Sequence, residues 1–255
     1  MQAFRFLNES KKEQPTVSGK TMVLDKGLGL NAVDDLLATA GNYISFAKFG
    51  WGTSATMDED LIIAKNEKYL SHGIVTYPGG TLLEVAVMKQ QYQYYLDETK
   101  RLGFNGIEVS DGSTQIDSAT RGMLIETARK AGFFVISEVG KKNLNLDHEL
   151  SAAQRIDQIN LDLKTGSHYV IIEAREVGKN IGIYDTEGEI IEDELEALAK
   201  TGIEHLICEA PLKRQQVELI LKYGPQVNLG NIATDEVTSL ATLRQGLRGD
   251  TVGKV

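Results

Sequence analysis

KAGFFVISEVGKK (Lys130–Lys142) holds, in order, the close of an amphipathic stretch, a glycine, a β-rich apolar run and a polar turn. A helix that stops just before a strand needs a residue tolerant of positive φ, and Gly132 supplies it. Gly103, Gly166 and Gly202 occupy the same place before other apolar runs, so the chain repeats a helix, glycine, strand unit. Eight strands are expected: Thr21–Asp25, Ile44–Phe49, Gly73–Tyr77, Gly106–Ser110, Phe133–Glu138, Tyr169–Glu173, His205–Glu209 and Gln226–Gly230. The stretches between them are long enough for one helix and two loops, and Asp60–Tyr69 reads as such a helix. Eight βα units close a (β/α)8 barrel of the α/β class, and 255 residues suit a single domain (1–255) with a polar segment over 1–20. Glu176–Ile191 is too rich in glycine and turn residues for a helix; it reads as a long loop over the barrel mouth, with a small hairpin around Asp185–Gly188.

Composition narrows the function. A net charge of −9 and a pI near 5.1 exclude a nucleic-acid or anionic-membrane surface, since both demand a basic face. A small anion held by a few converging cations stays open. Cys208 is the only cysteine, so disulfides and cysteine-rich zinc sites are excluded, and the first 20 residues lack the apolar core of a signal peptide. A soluble, cytoplasmic protein is expected.

In such barrels chemistry gathers just after the strands, and here those positions are polar: DKG (Asp25–Gly27), KFGWGTS (Lys48–Ser54), YPGGT (Tyr77–Thr81), EVSDGS (Glu108–Ser113), SEVGKK (Ser137–Lys142), EAREVG (Glu173–Gly178), EAP (Glu209–Pro211) and NLGNI (Asn228–Ile232). Glu108, Asp111, Glu138 and Glu173 would crowd neighbouring strand ends, and a divalent cation is the simplest counter-charge. Ligands made only of oxygen favour magnesium or manganese over zinc. The alternative is a structural ion network with Lys26, Lys48 and Arg175. Lys26, Lys48, Lys142 and Arg175, with the backbone N–H groups of Gly79 and Gly80, form a candidate cradle for a phosphate and a carboxylate.

Other motifs carry less. GWGTSA (Gly50–Ala55) is one short match to a dinucleotide fingerprint, and RGDTVGKV (Arg248–Val255) lacks the spacing and hydroxyl of a phosphate loop. His72, His148, His168 and His205 have no metal spacing, and Cys208 inside a strand reads as a buried inert thiol. Tyr92, Tyr94 and Tyr95 fall on one helix, packing against the barrel or a second subunit, which makes a homo-oligomer the expected assembly.

Taken together, VLDKG, FAKFGWGTS, YPGGTL, IEVSDG, SEVGKK, VIIEAREVGKNIGIYD, EAPLKRQQ, VNLGNIATDEV and LRQGLRGDTVGKV resemble the phosphosulfolactate synthase family, over Ala3 to Val255. That resemblance implies a magnesium enzyme joining sulfite to phosphoenolpyruvate to give (2R)-phospho-3-sulfolactate, a step that serves coenzyme M biosynthesis in archaeal members. It implies Lys142, the second lysine of SEVGKK, as the catalytic acid. Glu108, Asp111, Glu138 and Glu173 match acidic positions of the family's motifs, while their contact with the ion is an expectation from rim geometry. Lys26, Lys48 and Arg175 are expected on the phosphate, the carboxylate or sulfite. The rival readings are a barrel aldolase or isomerase for another phosphorylated small acid or sugar, and a barrel that binds a metabolite without catalysis.

Overall fold

The structure is a computed structural model that describes Phe4 and residues 19–255. The expected polar segment 1–20 lies outside the described residues apart from Phe4, Gly19 and Lys20. Eight parallel strands alternate with helices. The strands are β1 (Thr21–Asp25), β2 (Phe46–Phe49), β3 (Val75–Pro78), β4 (Gly106–Val109), β5 (Phe134–Val139), β6 (Tyr169–Ile172), β7 (Leu206–Glu209) and β8 (Leu229–Ala233). Between them run α1 (Leu30–Ala40), α2 (Glu59–Ser71), α3 (Gly80–Met88), α4 (Tyr92–Arg101), α5 (Ser118–Lys130), α6 (Leu144–His148), α7 (Ala152–Thr165), α8 (Glu192–Ala199) and α9 (Lys213–Tyr223), and α10 (Val237–Arg244) follows β8.

Ladders join the strands in the order β3-β2-β1-β8-β7-β6-β5-β4, so the barrel is nearly closed, the ladder stopping between β3 and β4. That seam closes by other contacts. The Thr76 N–H donates to Asn105 Oδ1 at 2.9 Å, and a Cβ on Gly106 would come within 2.9 Å of Val75, so only a glycine lets the two strands approach this closely.

Strand alternation sorts the side chains. Met22, Phe46, Tyr77, Ile136, Ile171 and Ile207 fill the barrel interior, whereas Val23, Ala47, Val170 and Cys208 face the helices. Each fully buried aliphatic side chain here contributes roughly 1.5–3 kcal/mol against leaving it in water. The helices are held at their ends too: Asp117 and Asn143 cap α5 and α6, and Ser151 with Gln154 closes a capping box on α7.

Departures from the sequence expectation are local. The eighth strand begins at Leu229 rather than Gln226, because Val227 closes a turn on Gly224 and the Asn228 side chain binds the carbonyls of Glu204 and Leu206. His205 ends a 3-10 turn before β7 instead of opening the strand. The segment 176–191 has no helix, and the turn at Asp185–Gly188 forms, with Gly188 N–H on Asp185 O at 3.0 Å. It is pinned at the side of the barrel: Gln215 of α9 donates to the carbonyls of Gly178 and Gly188, and Tyr184 OH donates to Glu209 O. Only its first residue, Glu176, reaches the mouth cavity. Tyr92 and Tyr95 pack between α4 and α5 while Tyr94 faces solvent. Among the described residues, no helix is long and apolar enough to cross a membrane.

Candidate active site

The period of the strands builds the site. Two residues beyond the interior residues Phe46, Ile136, Ile171 and Ile207 stand Lys48, Glu138, Glu173 and Glu209, so the top layer of the barrel interior is charged where the layers below are apolar. Glu108 of β4 completes it. Lys48 Nζ lies 2.9 Å from Glu108 Oε2, 3.1 Å from Glu138 Oε2 and 3.7 Å from Glu209 Oε1. Lys142, in the turn after β5, places Nζ 2.9 Å from Glu138 Oε1 and 3.4 Å from Glu173 Oε2.

All four carboxylates are buried, and two ammonium groups face them, which leaves two negative charges unmatched. The titration behaviour follows. Burial, with repulsion from Glu138 and Glu209, drives Glu173 well above the usual carboxylate range. Burial likewise raises Glu108 against the pull of Lys48, and raises Glu209 to about 7. Burial acts in the same direction on Glu138, but Lys142 and Lys48 together outweigh it and hold that carboxyl below its ordinary value. Lys142 and Lys48 are both raised, since the acids around them overcome a desolvation penalty that acts the other way. Oxygens of Glu138, Glu173 and Glu209 lie within 4.8 Å of one another. Glu108 Oε2, Glu173 Oε2 and Glu209 Oε1 are buried without a hydrogen bond, and each has only a lysine ammonium as charged company, at 2.9, 3.4 and 3.7 Å. Carboxylate oxygens without a hydrogen bond, acids in excess of cations by two, and a donor set of carboxylates only are what a hard divalent cation fits.

Above the cluster opens a cavity of about 390 Å³, walled by Trp51, Thr81, Arg175 and Asn231 among others. Of the residues expected from sequence, Lys48, Glu108, Glu138, Lys142 and Glu173 meet at its floor, and Gly79, Gly80 and Arg175 line it. The Gly79 and Gly80 N–H groups are already committed, to Phe49 O at 3.0 Å and Glu108 Oε1 at 2.7 Å, so they are not free to cradle a phosphate. Lys26 stands outside, its ammonium 4.6 Å over the Trp51 ring. Asp111 is not in the cluster. It lies beyond the end of β4, in the turn, and pairs there with Arg121 at 3.1 Å and with Lys141. The ion network considered from sequence forms through Lys48 and Lys142; Lys26 and Arg175 make no ion pair with these acids among the described contacts.

Sequence reasoning passed over Glu209, Tyr77 and Asn231. Glu209 carried a signal, since it follows Ile207 as Glu138 follows Ile136. Tyr77 is buried with an unpartnered hydroxyl, its phenol held protonated by burial and by Glu108. Asn231 lay beyond the expected end of its strand.

The profile of the family described as (2R)-phospho-3-sulfolactate synthase (ComA) matches residues 9–250. The chain belongs to that family. It is 51% identical to the phosphosulfolactate synthase of Methanocaldococcus jannaschii over the whole of both chains. With the phosphosulfolactate synthase of Methanothermobacter thermautotrophicus it shares 45% identity, across all of this chain and 99% of the relative. Among solved structures, a 3-hexulose-6-phosphate synthase superposes with a TM-score of 0.57 at 13% identity, covering 88% of this chain and 98% of that one. At that identity the likeness speaks for the barrel, not for its chemistry.

Proposed function

We propose that the chain is a phosphosulfolactate synthase that adds sulfite to the methylene carbon of phosphoenolpyruvate with the help of magnesium. The observation that carries this reading is the buried trio Glu138, Glu173 and Glu209 beside the Lys142 ammonium, in a cluster where acids outnumber cations, at the floor of a cavity large enough for both substrates. Glu138, Glu173 and Glu209 would hold the magnesium ion, which supplies positive charge beside the substrate carboxylate. Asp111, expected as a ligand from sequence, has no part in this set.

The chemistry asks for an electron sink, because the substrate double bond is electron-rich. The sulfur lone pair forms the C–S bond, the π pair moves onto the carboxylate as an enediolate, and a proton must then reach the neighbouring carbon. Lys142 is held protonated by Glu138 and Glu173 and stands at one side of the floor, so it delivers its Nζ proton from a single face and sets the R configuration. The amine regains a proton from the solvent-facing side of the cavity. Lys48 is locked among three carboxylates, and its work is to keep the anionic floor from repelling an anionic substrate. Arg175, half-exposed on the wall, binds an anionic group of the substrate. The exposed Met88 and Tyr94 on adjacent helices support assembly into a homo-oligomer, and the buried Cys208 thiol suits a reducing cytoplasm.

The test is a product assay with phosphoenolpyruvate and sulfite, run with magnesium and with a chelator. A sulfonated phosphate ester should form only when sulfite and metal are both present. Phosphoenolpyruvate consumed equally well without sulfite would overturn the reading in favour of another barrel chemistry.

A further inference from the structure

Among the described residues, six non-glycine residues have positive φ, and three of them, Trp51 (57°), Arg175 (56°) and Asn231 (54°), line the active-site cavity. A left-handed backbone strains a non-glycine residue, so the concentration of three at one cavity calls for a local cause. For Asn231 the cause is visible in the ladder. Thr21 of β1 pairs with Leu229 of β8, yet Val23 pairs with Ile232, so β8 carries one extra residue in a bulge over Gly230 and Asn231. Bulges of this kind re-aim a side chain out of the regular alternation. Here the Asn231 side chain is turned across the barrel rim, where Nδ2 donates to the Arg175 carbonyl at 2.9 Å.

Arg175 is gripped at both ends of its own peptide unit. Its N–H donates to Glu173 Oε1 at 2.7 Å, and its carbonyl accepts from Asn231. These two bonds hold the left-handed turn that lays the guanidinium along the cavity wall, with NH1 3.3 Å from the Lys142 carbonyl. Without the amide of Asn231, nothing else in the recorded hydrogen bonds holds that carbonyl, and the arginine backbone is free to relax to a right-handed conformation that swings the side chain away. We infer that Asn231 is a positioning residue that locks Arg175 in its strained conformation and so sets the affinity of the site for its anionic substrates. The inference rests on Arg175 meeting substrate, as proposed above.

The test is a double-mutant cycle of Asn231→Gly and Arg175→Met, with KM for phosphoenolpyruvate and for sulfite read separately from kcat. Glycine accepts a positive φ without strain, so Asn231→Gly should keep its thermal midpoint while raising KM about tenfold, the loss of one well-placed hydrogen bond. In the Arg175→Met background the same change should add nothing, since the residue it acts through is gone. Asn231→Asp keeps the shape but not the donor and should behave no better than Asn231→Gly. Additive losses in the double variant, or an Asn231→Asp enzyme equal to the parent, would overturn the inference. An unaltered KM in Arg175→Met would overturn it as well. Sulfite-dependent turnover by the parent enzyme in the same assay separates those failures from failure of the synthase reading itself.

Discussion

Of the charge networks in this barrel, the one at its mouth and the one behind β5 are built differently. Behind β5, Arg121 binds Asp162 through Nε and NH2 at 2.9 and 2.6 Å and Asp111 through NH1 at 3.1 Å, while Lys141 holds Asp111 and the carbonyls of Asp111 and Thr114. Two cations meet two acids, and Gln158 supplies a further donor to Asp162. At the mouth, Lys48 and Lys142 meet four acids, and three carboxylate oxygens have no hydrogen bond. The first arrangement is a finished piece of structure, and the second carries an excess of acids, which the proposed magnesium ion would answer. Charge balance therefore separates the two where residue type does not, since both bring carboxylates and basic side chains together in the interior.

The largest expected effect is at the mouth. Lys142→Met should lower kcat by about 10²–10⁴-fold, the range for removing a positioned acid, while phosphoenolpyruvate binding stays measurable by calorimetry. Near-normal turnover would remove Lys142 as the acid. The next is behind β5. Arg121→Met strands Asp162 as an uncompensated buried charge and should cost about 3–5 kcal/mol in denaturant unfolding. Turnover per folded molecule should persist, and a variant of unchanged stability but lost catalysis would erase the distinction between the two networks.

How far this contrast could be read in advance depends on the kind of signal. β1 matches its expected bounds of Thr21–Asp25, and the glycine stops at Gly103, Gly132 and Gly166 have positive φ, because local period and glycine chemistry act through near neighbours. The inward carboxylates follow from strand alternation, as Glu209 stands in phase with Ile207, whereas Asp111 lies past the end of β4, where a turn and not the strand period sets its direction. What alternation cannot carry is tertiary. That the Gly80 N–H is taken by Glu108, that Lys26 rests on Trp51, and that a bulge turns Asn231 toward Arg175 depend on contacts between distant elements. The expected eighth strand ended at Gly230 because an apolar run shows no sign of an extra residue in a ladder.

A smaller effect probes the charge imbalance directly. Glu209 carries its carboxyl at about 7 against an ordinary value of 4.5, so the folded state retains a proton there that the unfolded chain has already lost. A raised carboxyl destabilises the fold as it ionises: the contribution of Glu209 is fully present below about pH 4.5 and is lost as pH climbs through about 7. Glu209→Gln removes that ionisation. With a chelator present, the variant should be more stable than the parent at neutral pH and above by on the order of 1–3 kcal/mol, and the advantage should vanish in acid. Denaturant midpoints taken across this pH range measure the difference. The same variant should need more magnesium for activity, since a ligand is lost while the repulsion is relieved. Should Glu209→Gln instead lose stability at neutral pH, as Arg121→Met is expected to, its carboxylate would be a matched member of a structural network, and the imbalance assigned to the mouth would not exist.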